Sequence, residues 1–141
     1  MNNIIIPGQS IGGISLGDNI SLVIDKLDRA HAIARVNPST VKVDGGTLTI
    51  YHNPKNGCIE SISANKNFKG NYKGKLWPGM NVDAVLKHST TQIAWCGFVQ
   101  VDGIKGVGLS LPNEFDDFEA LTDFLDKSFI FDELWVYSFR K

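Results

Sequence analysis

The stretch Gly12-Gly13-Ile14-Ser15-Leu16-Gly17-Asp18-Asn19-Ile20 leads into Val23, Ile24 and Leu27. Further along, Gly74-Lys75-Leu76-Trp77-Pro78-Gly79-Met80-Asn81-Val82 leads into Val85 and Leu86. The two share the frame Gly-x-Asn-[Ile/Val]-x-x-Val-[Ile/Leu], counted from Gly17 and from Gly79, at an offset of 62 residues. A second echo follows each: Val41-Lys42-Val43-Asp44-Gly45 and Val99-Gln100-Val101-Asp102-Gly103, offset by 58. Two matches in the same order point to two diverged tandem units, spanning about residues 8–64 and 72–140 of one domain over 1–141.

In the shared frame, glycine permits a tight turn, and asparagine then caps a helix by accepting a hydrogen bond from one of its orphan N–H groups. Ile20, Val23, Ile24 and Leu27 recur at helical spacing. Residues 19–30 therefore read as an amphipathic helix with Asp25, Asp28 and Arg29 outward, and 81–88 as a shorter one. The glycines do not form a phosphate loop, since neither Gly-x-Gly-x-x-Gly nor Gly-Lys-Ser/Thr occurs. After the first helix, Val41–Asp44 and Thr47–His52 flank Gly45-Gly46, a two-residue hairpin signal, and a turn over 53–57 leads into Cys58–Ala64. In the second half, Thr91–Val101, Val107–Leu111 and Asp132–Phe139 read as strands. On the last of these, Leu134, Val136 and Ser138 take one face, and Trp135, Tyr137 and Phe139 the other. The expected fold is α+β: an antiparallel sheet with packed helices, built from two helix-plus-strands repeats.

The second half carries one further predicted helix. Pro112-Asn113 supplies a stop and a cap, and Phe115, Phe118, Leu121, Thr122 and Leu125 line one side. Asp116, Glu119, Asp123 and Asp126 fall on the opposite face. The early acids suit the helix dipole, but Asp123 and Asp126 lie toward its unfavourable end. A solvated polar face and an acidic docking face both fit this pattern.

With 141 residues, 43% hydrophobic and 21% charged, the chain is able to bury a core. Net charge is −1, unevenly spread. From Asn53 to His88, Lys55, Lys66, Lys69, Lys73, Lys75 and Lys87 stand against Glu60 and Asp83, a balance of +4. From Asn113 to Glu133, eight acids stand against Lys127, a balance of −7. The opening Met1-Asn2-Asn3-Ile4-Ile5-Ile6-Pro7 has no basic region and only a short apolar run, and no stretch has the length of a membrane span. A cytoplasmic protein is expected, with Cys58 and Cys96 as reduced core thiols.

No catalytic constellation emerges. His31, His52 and His88 are scattered, and only His52 and Cys58 fall close enough to meet across a turn, without a third or fourth ligand. Cys96, in an apolar strand, reads as a buried thiol. Asp44 and Asp102 precede glycines in turns, where aspartate serves the backbone. The expectation is a non-enzyme without cofactor or metal. One alternative partner is single-stranded nucleic acid, because Lys66–Trp77 interleaves four lysines with Phe68, Tyr72 and Trp77. That segment is also where a polar connector between two units belongs.

The opening Pro7–Gly17 and its echo Lys73–Met80, in a chain of this size with concentrated acids, resemble segments of the immunity proteins of bacterial contact-dependent growth inhibition systems. The tandem helix-on-sheet units are also similar to those of beta-lactamase-inhibitor-like domains. The resemblance implies a protein that binds and neutralises a cognate toxin domain, often a nuclease, by covering its active site. Nucleases carry basic clefts, so an acidic surface would hasten and orient binding, with aromatic anchors supplying affinity. The expected contact residues are Asp116, Glu119, Asp123, Asp126, Asp132 and Glu133, with Trp135 and Tyr137 as anchors.

Overall fold

A computed structural model describes residues 2–112 and 117–138. Phe115, Asp116 and Phe139 lie outside the described residues. Asparagine starts both helices. In α1 (Ile20–Leu27) the Asn19 side chain accepts the Ser21 N–H at 2.9 Å, and in α2 (Val82–His88) Asn81 accepts that of Ala84 at 2.8 Å. The first helix stops short of the expected residue 30: the Ala30 N–H turns back to the Leu27 carbonyl, three residues away, instead of to Lys26.

Three two-residue strands, β1 (Ile5–Ile6), β2 (Ser10–Ile11) and β3 (Ile14–Ser15), form a small antiparallel sheet. α1 is followed by β4 (Ile33–Asn37), β5 (Thr40–Val43), β6 (Leu48–His52) and β7 (Ile59–Asn65). α2 is followed by β8 (Gln92–Trp95), β9 (Phe98–Val101), β10 (Val107–Ser110) and β11 (Glu133–Tyr137). The eight strands make one sheet in the order β4-β5-β6-β7-β11-β10-β9-β8, antiparallel throughout. Each set of four is a meander, and the sets join where the last strand of one pairs with the last strand of the other.

The second half makes the same contacts as the first at the helix entrance. Gly17 donates its N–H to the Ile59 carbonyl, Ile59 to Asp18, and Ile20 to Gly57, at 2.8–2.9 Å. Gly79 donates likewise to Phe131, Phe131 to Met80, and Val82 to Phe129, at 2.8–3.0 Å. Gly17 and Gly79 sit at φ 87° and 88°, a turn conformation open to glycine. These bonds tie the start of each helix to the entrance of the last strand in its own half.

The aspartates of the Val-x-Val-Asp-Gly echo also act alike. Both have left-handed backbones, φ 52° at Asp44 and 51° at Asp102. Asp44 exchanges hydrogen bonds with the backbone of Ala32, and its carboxylate meets His31 Nδ1 at 2.7 Å. Asp102 exchanges them with Thr91, accepts the Thr90 N–H as well, and pairs with Lys75 Nζ. Each therefore pins the segment that leaves its helix to a turn of its meander. Gly45-Gly46 does not form the expected two-residue hairpin; Asp44–Gly46 is a short 3-10 turn.

One face of the large sheet is the core. Val41, Val43, Leu48, Ile50, Ile62, Leu134, Val136, Leu109, Val99 and Val101 pack with Ile20, Val23 and Leu27 of α1 and Val82 and Val85 of α2. Several expectations change. β4 is an additional strand that sequence reading leaves out. Thr91–Val101 is two strands, because Cys96 (φ 50°) and Gly97 (φ 86°) turn the chain as a two-residue hairpin. Cys96 is therefore exposed rather than buried in a strand, and Cys58 is exposed too.

Among the described residues of the predicted acidic helix, 117–128, none is helical: the chain runs through bends, turns and irregular backbone. Aspartate chemistry explains this. Asp117 takes the Phe118 N–H, and Asp123 takes those of Glu119 and Ala120 at 3.1 and 2.9 Å, in place of helical carbonyls. Leu121 and Leu125 still bury themselves in the core.

The Lys75 ammonium beside Asp102, helped by two backbone N–H groups, holds that carboxyl down at about 2, below its ordinary 3.8. A depressed carboxyl stabilises the fold above its unfolded value and loses that contribution as pH falls through the folded one. Asp102→Asn is therefore expected to lower the melting temperature at neutral pH and to flatten the pH dependence of stability between 3.8 and about 2. Thermal unfolding of both proteins across that window checks it; parallel curves would contradict the assignment.

Candidate functional site

The face of the sheet opposite the core carries a row of aromatic side chains. Period-two alternation places Tyr51 (β6), Trp135 and Tyr137 (β11), Phe98 (β9) and Trp95 (β8) on this face, since their neighbours Ile50, Leu134, Val136 and Val99 face the core. The registers agree: Tyr51 is opposite Ser61, Ser61 opposite Tyr137, Ser63 opposite Trp135, Trp135 opposite Gly108, and Phe98 opposite Trp95.

Strands lie about 4.8 Å apart, so rings two strands apart meet only if they lean across small residues. β7 supplies Ser61 and Ser63 between Tyr51 and Trp135, and those two rings stack at 4.9 Å and 20°. β10 supplies Gly108, where an added Cβ would come within 2.7 Å of Phe98 Cβ. Phe98 thus lies against this glycine, 4.8 Å from Tyr137 (14°) and 5.9 Å from Trp135 (53°). Trp95 closes the row on the other side of Tyr137, at 5.3 Å and 13°. Each such pair adds about 0.5–1.5 kcal/mol beyond the area it buries.

Tyr137 thus stacks nearly parallel on both Phe98 and Trp95. Burial pushes the Tyr137 hydroxyl up to about 12, with nearby Cys96 adding to it. Burial also raises Tyr51, and Glu133 adds to that, while a hydrogen bond with Ser63 opposes it. Two hollows border the row. A groove of about 810 Å³ is lined by Cys96, Phe98, Ser110, Pro112, Glu133 and Trp135, among others. A smaller one, about 230 Å³, lies at Trp95, Gln100, Lys105 and Tyr137.

The structure divides the expected contact residues. Glu133, Trp135 and Tyr137 share this face of β11, with Glu133 and Trp135 in the same groove. Asp132 is exposed just before the strand. Glu119 and Asp126 are exposed on the turns of 117–128 rather than on a helix face, and Asp123 is occupied in holding those turns together. Tyr51, Trp95 and Phe98 are members of the site that sequence reading leaves out. The alternation Leu48-Thr49-Ile50-Tyr51 and the turn pair Cys96-Gly97 are the signals that carry them.

The basic-aromatic connector is arranged differently from what stacking on bases needs. Phe68 is buried in the core, and Trp77 packs edge-on against His88 at 5.1 Å. Lys66, Asn67, Lys69 and Asn71 line a hollow of about 580 Å³ beside Trp77. His52 is buried with Nδ1 3.1 Å from the Asn53 carbonyl, whereas Cys58 is exposed. Among the described residues, no group of three or more His, Cys, Asp or Glu is placed to hold a metal ion. Nor is any helix among them long and apolar enough to cross a membrane.

No family model, curated protein or solved structure matches the chain.

The row makes a stability prediction. An acid whose folded value is raised, as at Tyr137, favours folding while neutral and withdraws that support as pH climbs from the unfolded value of 10.0 toward about 12. Unfolding free energy is expected to fall across this alkaline window, and Tyr137→Phe to remove part of the slope. Denaturant unfolding at stepped pH measures it, and an unchanged slope in the variant would refute the role given to this hydroxyl.

Proposed function

We propose that this protein works by binding another protein across the open face of its sheet, as an immunity-type inhibitor that occludes the active site of a cognate toxin domain. The observation that carries the reading is the aromatic row Tyr51-Trp135-Phe98-Tyr137-Trp95 on a face that no described helix covers. Buried aromatic clusters with a polar rim are the anatomy of binding hot spots, since rigid rings give large contact area at small entropic cost. Thr49, Ser63 and Gln100 lie under the rings, and Lys42, Lys105 and Glu133 stand around them, which supplies that rim.

The mechanism is steric and needs no covalent step. A broad antiparallel face covers a concave or flat target, and the exposed acids Glu119, Asp126 and Asp132, with Glu133, add electrostatic steering toward a basic cleft such as that of a nuclease. In this reading the protein acts in the bacterial cytoplasm, without cofactor or catalysis of its own. The matched hydrogen bonds at the two helix entrances, together with the Asp44 and Asp102 pins, favour an origin of the two halves from one duplicated unit. Duplication of a four-stranded unit is an economical route to a face wide enough for a protein partner.

The test is co-expression with the product of the gene directly upstream, followed by affinity purification and a growth-rescue assay. A stoichiometric complex is expected. Trp95→Ala and Tyr51→Ala, at the two ends of the row, are each expected to weaken it at least about tenfold while leaving the fold intact. No complex, or a complex indifferent to both substitutions, would count against the function and the site respectively.

A further inference from the structure

We propose that the free edge of β8 pairs with the same edge of a second copy, joining two sheets about a two-fold axis. This inference is independent of any toxin partner and rests on the two ends of the large sheet being unlike. A sheet edge presents unpaired backbone groups, and proteins that avoid edge pairing blunt it with charges, prolines or bulges. The β4 edge has both a charge and an irregularity: Arg35 is exposed, and the register shifts between Arg35 and Asn37. The β8 edge has neither. Residues 89–97, Ser89-Thr90-Thr91-Gln92-Ile93-Ala94-Trp95-Cys96-Gly97, contain no charged residue and no proline. Among the described residues, β8 is terminal in the strand order and pairs only with β9.

The hairpin fixes which groups are free. A two-residue loop is closed by a hydrogen-bonded pair, here Trp95 with Phe98, so bonding alternates back along the strand. The Asp102 N–H donates to the Thr91 carbonyl at 2.9 Å, which confirms the phase. Thr91, Ile93 and Trp95 therefore turn their backbone groups toward β9, and Gln92 and Ala94 turn theirs outward. That set is self-complementary. In an antiparallel pair centred on Ile93, Gln92 of one copy bonds Ala94 of the other, and Ile93 faces its own counterpart at the non-hydrogen-bonded position, where side chains approach most closely.

Ile93 is 49% exposed and Trp95 39% exposed, both on the face of the aromatic row. Pairing covers them and sets the two rows on one continuous surface. No like charges meet across the axis. A four-residue edge buries less than the roughly 800 Å² per partner of a stable interface, so the association is expected to be weak, in the micromolar range or above.

Sedimentation equilibrium over a wide concentration range, with amide hydrogen exchange, tests this on the intact chain. The expected result is a reversible monomer–dimer equilibrium in which the Gln92 and Ala94 amides gain protection as concentration rises, while β4 amides do not. Ala94→Pro removes an outward N–H and leaves the β8–β9 bonds in place, and Ile93→Lys sets two like charges face to face. Each is expected to weaken dimerisation at least about tenfold with an unchanged circular dichroism spectrum. If one variant misfolds, the other is read together with the exchange data. A monomer at every concentration overturns the proposal. So does a dimer that both variants leave intact, or one without added protection at Gln92 and Ala94.

Discussion

The pairing of β7 with β11 holds the molecule together as one sheet. Five consecutive registers, Asn65 with Glu133 through Ser61 with Tyr137, run along the centre of the large sheet. Each four-stranded meander is closed on its own terms, with its helix tied to the entrance of its last strand. Only this seam makes the two one sheet and gives Ile62 and Val136, both fully buried, a shared core. The same seam sets Ser61 and Ser63 beside Tyr137 and Trp135, and so creates the space into which the Tyr51 ring leans. Core and candidate site are the two faces of one pairing, and a slip of one residue there would exchange them.

That coupling shapes how stability and function trade against each other. Aromatic rings on a sheet face repay their exposure when they stack on one another, and here each ring of the row has at least one stacking or tilted neighbour. The row is therefore held in one arrangement by its own contacts, and in the binding role proposed above that order would lower the entropic cost. The indole N–H of Trp135 is buried and has no acceptor among the described residues. An unsatisfied buried donor costs about 1–3 kcal/mol, which the stacking of the row has to offset.

Much of the framework was legible from residues. Asn19 and Asn81 announced helix starts, the runs flanking Gly45-Gly46 announced two strands, and the Leu134–Tyr137 alternation announced a third. The paired frames announced that each half enters its helix in the same way. What failed was the acidic segment. Phe118, Leu121 and Leu125 have the spacing of a helix, and all three pack in or against the core, but spacing reports only which side chains are buried. Whether the backbone between them is helical depends on what its N–H groups choose, and aspartates at 117 and 123 offered carboxylates close at hand. Asp123, expected on a helix face, braces a turn instead.

The aromatic row was hidden for a different reason. Trp95 and Phe98 are three residues apart, and in an unbroken strand an odd separation puts side chains on opposite faces. Reading 91–101 as one strand therefore splits them. Two left-handed residues, Cys96 and Gly97, reverse the chain, so that Trp95 and Phe98 become direct cross-strand partners on one face. Cysteine is an uncommon choice at a left-handed position, and without an asparagine or aspartate before the glycine the hairpin signal was muted. Tyr51 and Tyr137 join the same face only through the β6–β7 and β7–β11 registers, which pair residues 61 and 137 from far apart in sequence. A site assembled from four strands belongs to register rather than to motif. Its chemistry is written in the sequence one aromatic at a time, and only the pairing of the strands brings the rings together.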